Sequence, residues 1–309
     1  HYPILVDEQL YGFLYAQKQT PFSQFEQLAI RQATTIYAIE FLKFKIVEDT
    51  KMYMQGDFLD DLLQKGYVNE QAAAERGRQL GYDLTQQNSV MLVQTNDLDK
   101  AVQLTIDVFE NHGEKFMFRR KSDHLVLLHV SDSSADGEAI MKQLAEEMIR
   151  RFAKSGPKDA SLVIGSGSTV RGVAAIAESA KQARYALLFS RYLTKAYIPF
   201  KDLGAYQLFI QLKDNGADLT KYYMGVLGPL LEYDATHHSN LIKTFETYIE
   251  NNLKGQKTAD ALFIHRHTLS YRLEQIKKKT GKDVHLANER IQLHLAVMAY
   301  RIDRMLELD

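Results

Sequence analysis

The chain has 309 residues, 45% of them hydrophobic and 25% charged, with a net charge of −1 and no cysteine. That length fits two or three domains, and the missing cysteines exclude disulfides, thiolate zinc sites and cysteine nucleophiles. No run of about 18 apolar residues occurs, which excludes a transmembrane helix, and near-zero net charge means that any surface for a polyanion must be local. No signal peptide opens the chain, which begins His1-Tyr2-Pro3; the expectation is a cytoplasmic protein and a fragment of something longer.

Residues 1–20 alternate apolar and polar around Asp7-Glu8 and predict two strands of a hairpin. Two strands cannot stand as a domain, so they are expected to be the last strands of a sheet. After Pro21 a helical pattern runs over about 22–55 with two apolar seams. One is Leu28, Ile39, Leu42 and Ile46; the other is Ile30, Tyr37, Phe41 and Phe44. A helix apolar on two sides needs two partners. It is either a buried core helix or a relay between a sensor sheet and a second subunit. Gly56 is expected to break it, and "DFLDDLLQKGY" and "NEQAAAERGRQLGYDL" to form two shorter helices with a stop at Gly66.

A strand–helix alternation follows. Strands are expected at 89–95, 115–120, 124–130, 160–166 and 196–200, and helices at 97–112, 136–154 and 171–191, with a hairpin at Lys121-Ser122-Asp123. This order predicts an α/β sandwich with helices on a mixed sheet. The glycine-rich "IGSGSTVRG" (164–172) lacks both the Gly-Lys-Ser/Thr ending of a P-loop and GxGxxG spacing, so a flexible strand-to-helix turn is expected rather than a phosphate cradle. Asp60-Asp61 and Glu146-Glu147 are adjacent pairs in helices whose side chains diverge, a surface pattern rather than acid–base catalysis.

Beyond about residue 201 the pattern is all helical. A break is expected at Gly228-Pro229, then helices at 240–252, 257–263, 266–279 and 286–308. The last carries Ile291, Leu295, Met298, Ile302 and Met305 on one stripe and Leu293, Val297 and Tyr300 opposite. The spacing of His285, Glu289 and His294 does not share one helix face, so no metal is assigned.

The stretch 254–282 carries eight Lys or Arg against two Asp or Glu, a local +6. Within it, 257–263 predicts a short helix with Ala261 and Leu262 turned inward, Ile264 and His265 form a tight turn, and a helix from Arg266 follows. The second helix has Leu269, Leu273 and Ile276 inward and His267, Ser270, Tyr271, Glu274 and Lys278 outward. This is a helix-turn-helix pattern, and a helix of about 14 residues spans about 21 Å, enough to lie in a major groove. His267, Ser270 and Tyr271 are candidates for base contacts. His265, Thr268, Lys257 and Thr258 are candidates for phosphates. Arg266, Arg272 and Lys277, Lys278 and Lys279 supply positive charge for the backbone. The lysines also suit the last turn of a helix that stops at Gly281, so phosphate clamp and dipole partner both stand. His265 and His267, two apart on a helix, should diverge, which argues against zinc.

The run "LGPLLEYDATHHSNLIKTFETYIENNLKGQKTADALFIHRHTLSYRLEQIKKKTGKDVHLANERIQLHLAVMAYRI" (227–302) resembles the C-terminal domain of PucR/CdaR-type bacterial transcription regulators. The resemblance implies a variable sensor region, a middle domain and this helix-turn-helix. Residues 86–200 resemble the degenerate GGDEF-like domain of the same regulators. Where catalytic relatives carry Gly-Gly-Asp-Glu-Phe, this chain reads Lys121-Ser122-Asp123-His124-Leu125, and Gln94 stands where a metal-binding Asp is expected. Two-metal phosphoryl chemistry needs clustered carboxylates, so the middle domain is expected to be non-catalytic, with no cofactor and no metal. Residues 1–55 resemble the tail of a GAF- or PAS-like sensor and its output helix.

The expectation is therefore a mixed-sheet α/β domain (56–200) followed by a helical domain (201–309, DNA binding at 239–309) and preceded by a sensor remnant with its helix (1–55). The function expected is a sequence-specific DNA-binding regulator. It would act on a double-stranded operator as a homodimer, answer to a small-molecule effector, and have no membrane partner. The competing reading is a nucleotide-signalling module whose middle domain binds or makes a cyclic dinucleotide.

Overall fold

The computed structural model describes residues 1–6, 9–64, 69–131, 136–155 and 161–307. The expected turn at Asp7-Glu8 and the expected stop at Gly66 lie outside them. The chain divides into two compact units, His1–Phe200 and Lys201–Asp309.

In the first unit, β1 (Tyr2–Val6) and β2 (Gln9–Leu14) pair antiparallel as a two-stranded sheet. The hairpin packs on α1 (Gln24–Leu63), where Tyr11 stacks on Phe41 at 6.0 Å between ring centroids and the Lys45 ammonium lies 5.6 Å from the Tyr11 ring centre. Helix α1 starts at a reciprocal capping box. The Glu26 N–H donates to the Ser23 hydroxyl, and the Ser23 N–H donates to the Glu26 carboxylate at 2.7 Å.

The expected break at Gly56 does not occur. Helix α1 is 40 residues long and runs straight through this position, so "DFLDDLL" is its last two turns rather than a separate helix. Gly56 is there for close approach: a Cβ would lie 3.0 Å from Arg119 Cδ and 3.6 Å from the Phe118 carbonyl oxygen. The residues just beyond it, Phe58, Leu59 and Leu62, are buried in the core. Their burial outweighs the roughly 1 kcal/mol that glycine costs inside a helix.

The rest of the unit is a three-layer sandwich. Its mixed sheet orders as β4 (Lys115–Arg120), β5 (His124–Ser131), β3 (Gln87–Thr95), β6 (Leu162–Ser166) and β8 (Tyr197–Pro199), with the short β7 (Val170–Arg171) also on β3. Only β6 and β8 run parallel among these pairs. Side chains alternate along the strands as the pleat requires. Val90, Leu92, Val126 and Leu128 meet the end of α1, α2 (Glu70–Gln79) and α5 (Ile176–Leu193) on one face. Met91, Val93, Leu125 and Leu127 meet α3 (Leu98–Asn111) and α4 (Gly137–Ser155) on the other.

The glycine-rich segment is neither a cradle nor a flexible turn. Gly165 lies within β6, and a Cβ there would sit 2.4 Å from the Leu187 nitrogen; at Gly167 it would sit 1.9 Å from the Ser179 carbonyl oxygen. These glycines let α5 press against the sheet. The Ser168 N–H is taken by the Gln182 side chain at 2.9 Å, and the Ser179 hydroxyl donates to the Ser168 carbonyl at 2.8 Å.

The second unit holds α6 (Tyr206–Asp214), α7 (Leu219–His237), α8 (Leu241–Glu250), α9 (Gly255–Ala261), α10 (Arg266–Thr280) and α11 (Ala287–Glu307). The expected break at Gly228-Pro229 is also absent: α7 continues through Pro229. Pro229 removes one helical hydrogen bond, but Leu227 and Leu230 on either side are buried, and that packing carries the helix on. Asp303 of α11 joins three elements, pairing with Lys213 of α6 and accepting from the hydroxyls of Thr220 at 2.8 Å and Tyr223 at 3.1 Å. Burial raises the Asp303 carboxyl, but these donors together hold it below its ordinary value.

Gly167→Ala is expected to destabilise the chain by about 1–3 kcal/mol, because the added methyl meets backbone that cannot swing away. Thermal unfolding would show it, and an unchanged Tm would contradict the close-packing role.

Candidate nucleic-acid interface

Helix α8 is the frame on which the helix-turn-helix is built. Its own N-cap residue, Asn240, is left-handed and makes no side-chain cap. The cap comes from α7 instead: Asp234 accepts from the Leu241 N–H at 2.8 Å, from the Ile242 N–H at 3.0 Å and from the Ser239 hydroxyl. A carboxylate at a helix N-terminus satisfies orphan donors and complements the dipole. On the far side, Glu246 receives both Nε and Nη2 of Arg301 from α11, a two-point pair at a largely buried carboxylate. Leu241, Phe245 and Tyr248 of α8 are buried.

Helix α9 ends in a double turn in which the Ile264 N–H donates to the Ala259 carbonyl and the Phe263 N–H to the Asp260 carbonyl. That is a Schellman motif, and its left-handed position is Phe263, φ +53°, where glycine is usual. Helix α10 then starts after His265, which is extended. Leu269, Leu273 and Ile276 of α10 are buried, as their spacing predicts. The helix stops at Gly281, φ +68°, whose N–H donates to the Lys277 carbonyl at 2.8 Å.

Burial of that stripe orients everything else on α10. His267, Tyr271, Glu274 and Lys278 form an exposed ridge opposite it, with Ser270 and Arg266 exposed on one flank and Thr268 on the other. His265 and Lys257 are also exposed. Arg266, Ser270 and Lys277 also line a cleft of about 490 Å³ that runs to Tyr248, Asp283 and His285.

Several expectations change at this point. Thr258 is buried, and its hydroxyl donates to the Lys254 carbonyl at 3.0 Å, so it presents nothing to a phosphate. Ala259, not Ala261, is the buried alanine of α9; Ala261 is exposed. Arg272 is half-buried and its Nη1 donates to the Thr244 hydroxyl at 3.1 Å, so it braces α10 against α8. Lys279 lies over the Tyr233 ring at 4.2 Å. Lys277 pairs with Asp283 at 2.9 Å, which raises the lysine and lowers the carboxyl from their ordinary values. His265 and His267 do not diverge: their rings stack at 5.8 Å, parallel to within 3°.

Two features were not read from the sequence. Phe263 is 95% exposed on its left-handed backbone; the amphipathic pattern of "KTADALF" hides the fact that the helix has already ended. Asp234 caps a helix that begins seven residues later, and no local capping signature marks such a contact.

In the first unit, the β3–β5 pairing sets Gln94 within 3.5 Å of Asp123 in the β4–β5 hairpin. Asp123 also pairs with His124 at 2.7 Å, and that hydrogen bond above all lowers its carboxyl from the ordinary value. Among the described residues no group of three or more His, Cys, Asp or Glu could hold a metal ion, and no helix is long and apolar enough to cross a membrane.

Fold and interface together define a helix-turn-helix protein whose helical unit follows an α/β unit. Residues 241–299 match the PucR C-terminal helix-turn-helix domain family, and residues 65–188 match the GGDEF-like domain family. The chain is 22% identical over 305 residues to the DNA-binding transcriptional activator AdeR of Bacillus subtilis (strain 168), covering 96% of this chain and 72% of AdeR. It is 24% identical over 296 residues to the proline-responsive transcriptional activator PutR of the same organism, covering 88% and 70%. It is 21% identical over 294 residues to the purine catabolism regulatory protein of that organism, covering 89% of this chain and 54% of the relative. The chain thus carries a PucR-type C-terminal helix-turn-helix domain and a GGDEF-like domain, and the relatives it resembles are PucR/CdaR-type transcription regulators.

Glu246→Gln is expected to cost about 3 kcal/mol of stability, because it leaves the Arg301 guanidinium facing a neutral partner. Chemical denaturation measures it; a loss below about 0.5 kcal/mol would mean that the pair contributes no more than a surface ion pair.

Proposed function

We propose that this protein is a sequence-specific DNA-binding transcription regulator that holds duplex DNA through residues 239–309, with α10 as its recognition helix. The observation that carries this reading is the exposed ridge of His267, Tyr271, Glu274 and Lys278 opposite the buried stripe of α10. His267, Ser270 and Tyr271 read base edges. Arg266, Thr268, His265, Lys257 and Lys278 hold the phosphates. Arg272, Lys277 and Lys279 act mainly by bracing the helix. The transcription-regulator names of the relatives support the same reading.

The protein works in the cytoplasm as a homodimer on a two-fold operator. The seam Leu28, Ile39, Leu42 and Ile46 of α1 supports this. With Phe25 these residues fall on one three-and-four register, broken by Gln32 and Thr35, and each of them is more than a third exposed. The hairpin occupies the other seam, at Phe41. A small-molecule effector acts upstream by changing the packing of α1 and so the spacing of two recognition helices. The α/β unit serves as structure rather than as an enzyme; Asp123 at its hairpin is engaged by His124 and Gln94. Turnover of a nucleoside triphosphate by the purified chain would overturn that part.

Binding to duplex DNA is expected to fall linearly on a log–log salt plot, by about 0.9 per phosphate neutralised. Lys278→Ala should shorten that slope by about 1 and weaken all sequences alike, whereas Tyr271→Ala should cost about 1–3 kcal/mol on the preferred sequence. Salt-independent binding, or none, would sink the reading. Ile39→Glu with Ile46→Glu should turn a dimer into a monomer in sedimentation equilibrium; a dimer that survives both places the interface elsewhere.

A further inference from the structure

Phe263 has the most exposed large apolar side chain among the described residues, 95% accessible, and its backbone is left-handed. Each feature alone is ordinary in a loop. Together they are costly in two ways: a bulky aromatic faces water, and an L-residue with a Cβ holds a conformation that glycine adopts freely. The Schellman bonds of Phe263 and Ile264 fix that conformation, and neither bond involves the ring. The ring therefore adds nothing visible to the fold, and glycine would complete the same turn with less strain. Strain retained in this way points to function.

The position says what the function is. Phe263 is three residues before Arg266, where α10 begins, and two before His265. In a helix-turn-helix the N-terminal end of the second helix meets the base edges. Beyond the partly buried Ile264, the side chains of His265, Arg266 and His267 are polar or cationic and exposed. Such groups can hold a phosphate or a base edge, but none offers a flat apolar surface. DNA presents apolar surface beside its phosphates, on the thymine C5-methyl and on the deoxyribose.

We propose that Phe263 is a DNA-contact residue that packs its ring against apolar DNA surface next to the recognition helix. The proposal rests on the DNA-binding reading above. An apolar contact releases no counterion, so its loss weakens binding without changing the salt slope, unlike the loss of a lysine or arginine.

The probe is a duplex that the wild-type chain selects from a random-sequence library, with affinity read by fluorescence anisotropy at several salt concentrations. Phe263→Gly is expected to raise Tm, because it relieves the left-handed strain, and to weaken binding about tenfold with the salt slope unchanged. Phe263→Asn, which also tolerates this conformation, should weaken binding similarly, and Phe263→Tyr should restore most of it. Replacing each dT by deoxyuridine separates the two sources. If one replacement weakens the wild type and has no effect on Phe263→Gly, the ring packs on that thymine methyl; if none does so, it packs on deoxyribose. Affinity of Phe263→Gly within twofold of the wild type, or a changed salt slope, overturns the proposal. So does unchanged DNA affinity with lost transcriptional output, which would assign the ring to a protein partner. A wild-type chain that selects no duplex overturns the DNA-binding reading itself, which keeps the two failures distinct.

Discussion

The helical unit depends on two carboxylates that fix α8, one reaching its start from α7 and one in its middle that pairs with α11. Asp234 supplies the N-cap that α8 lacks, and Glu246 takes both arms of Arg301 from α11. Two things follow from charge rather than from apolar packing. The start of α8 is tied to α7 and its middle to α11, so its axial position is set by directional bonds, whereas an apolar face alone tolerates sliding. The second consequence concerns α10, which packs on α8 and is braced there by Arg272 on the Thr244 hydroxyl. The height and rotation of α10 are therefore inherited from α8. Well-packed hydrophobic residues could replace a buried ion pair with little loss of stability. If α10 reads bases as proposed, register is the more relevant return.

The first unit combines two packing problems on one helix. The N-terminal part of α1 carries the small β1–β2 hairpin, which could not stand alone. Its C-terminal turns, Phe58, Leu59 and Leu62, belong to the core of the α/β sandwich. Continuity through Gly56 joins these two parts in a helix of about 60 Å at 1.5 Å per residue. A break there would have uncoupled them. The glycine that looks like a stop in the sequence eases the crossing of α1 over β4, where a Cβ would crowd the Arg119 side chain.

Much of this was legible in the residues, and the failures share a cause. Periodicity located every described strand but the two-residue β7, and it placed Leu269, Leu273 and Ile276 on the buried stripe, because those patterns are properties of single elements. Gly56 and Pro229 were read as breaks because local propensity favours a break; burial of Leu62 and Leu227 decided otherwise, and burial is a property of the partner. The glycines at 165 and 167 showed composition but not the helix lying 2.4 Å and 1.9 Å from their absent side chains. Thr258 resembles a phosphate ligand in a basic segment, yet it faces the core, one residue from the alanine that does the same. The resemblance to the PucR/CdaR-type regulators points to α9 and α10 as the candidate interface, but it too is silent on which cations are already engaged.

Engagement of these cations changes how the positive charge of the candidate interface is counted. Between Lys254 and Lys282 the sequence has a net +6, which invites a large electrostatic footprint. In the folded unit Arg272 is turned to α8, Lys279 to the Tyr233 ring, Lys277 to Asp283 and Lys282 to the Gln292 side chain at 2.6 Å. Each engaged cation would have to exchange a protein partner for a phosphate, so it contributes less to binding than its formal charge implies. The exposed face of α10 is correspondingly mixed: an imidazole, a phenol, a carboxylate and an ammonium in His267, Tyr271, Glu274 and Lys278. A uniformly basic ridge would bind any duplex. A carboxylate within it repels phosphate and accepts a hydrogen bond only where a donor such as the cytosine amino group faces it. The composition of that ridge favours discrimination between sequences over raw affinity, which suits a chain whose total charge is close to zero.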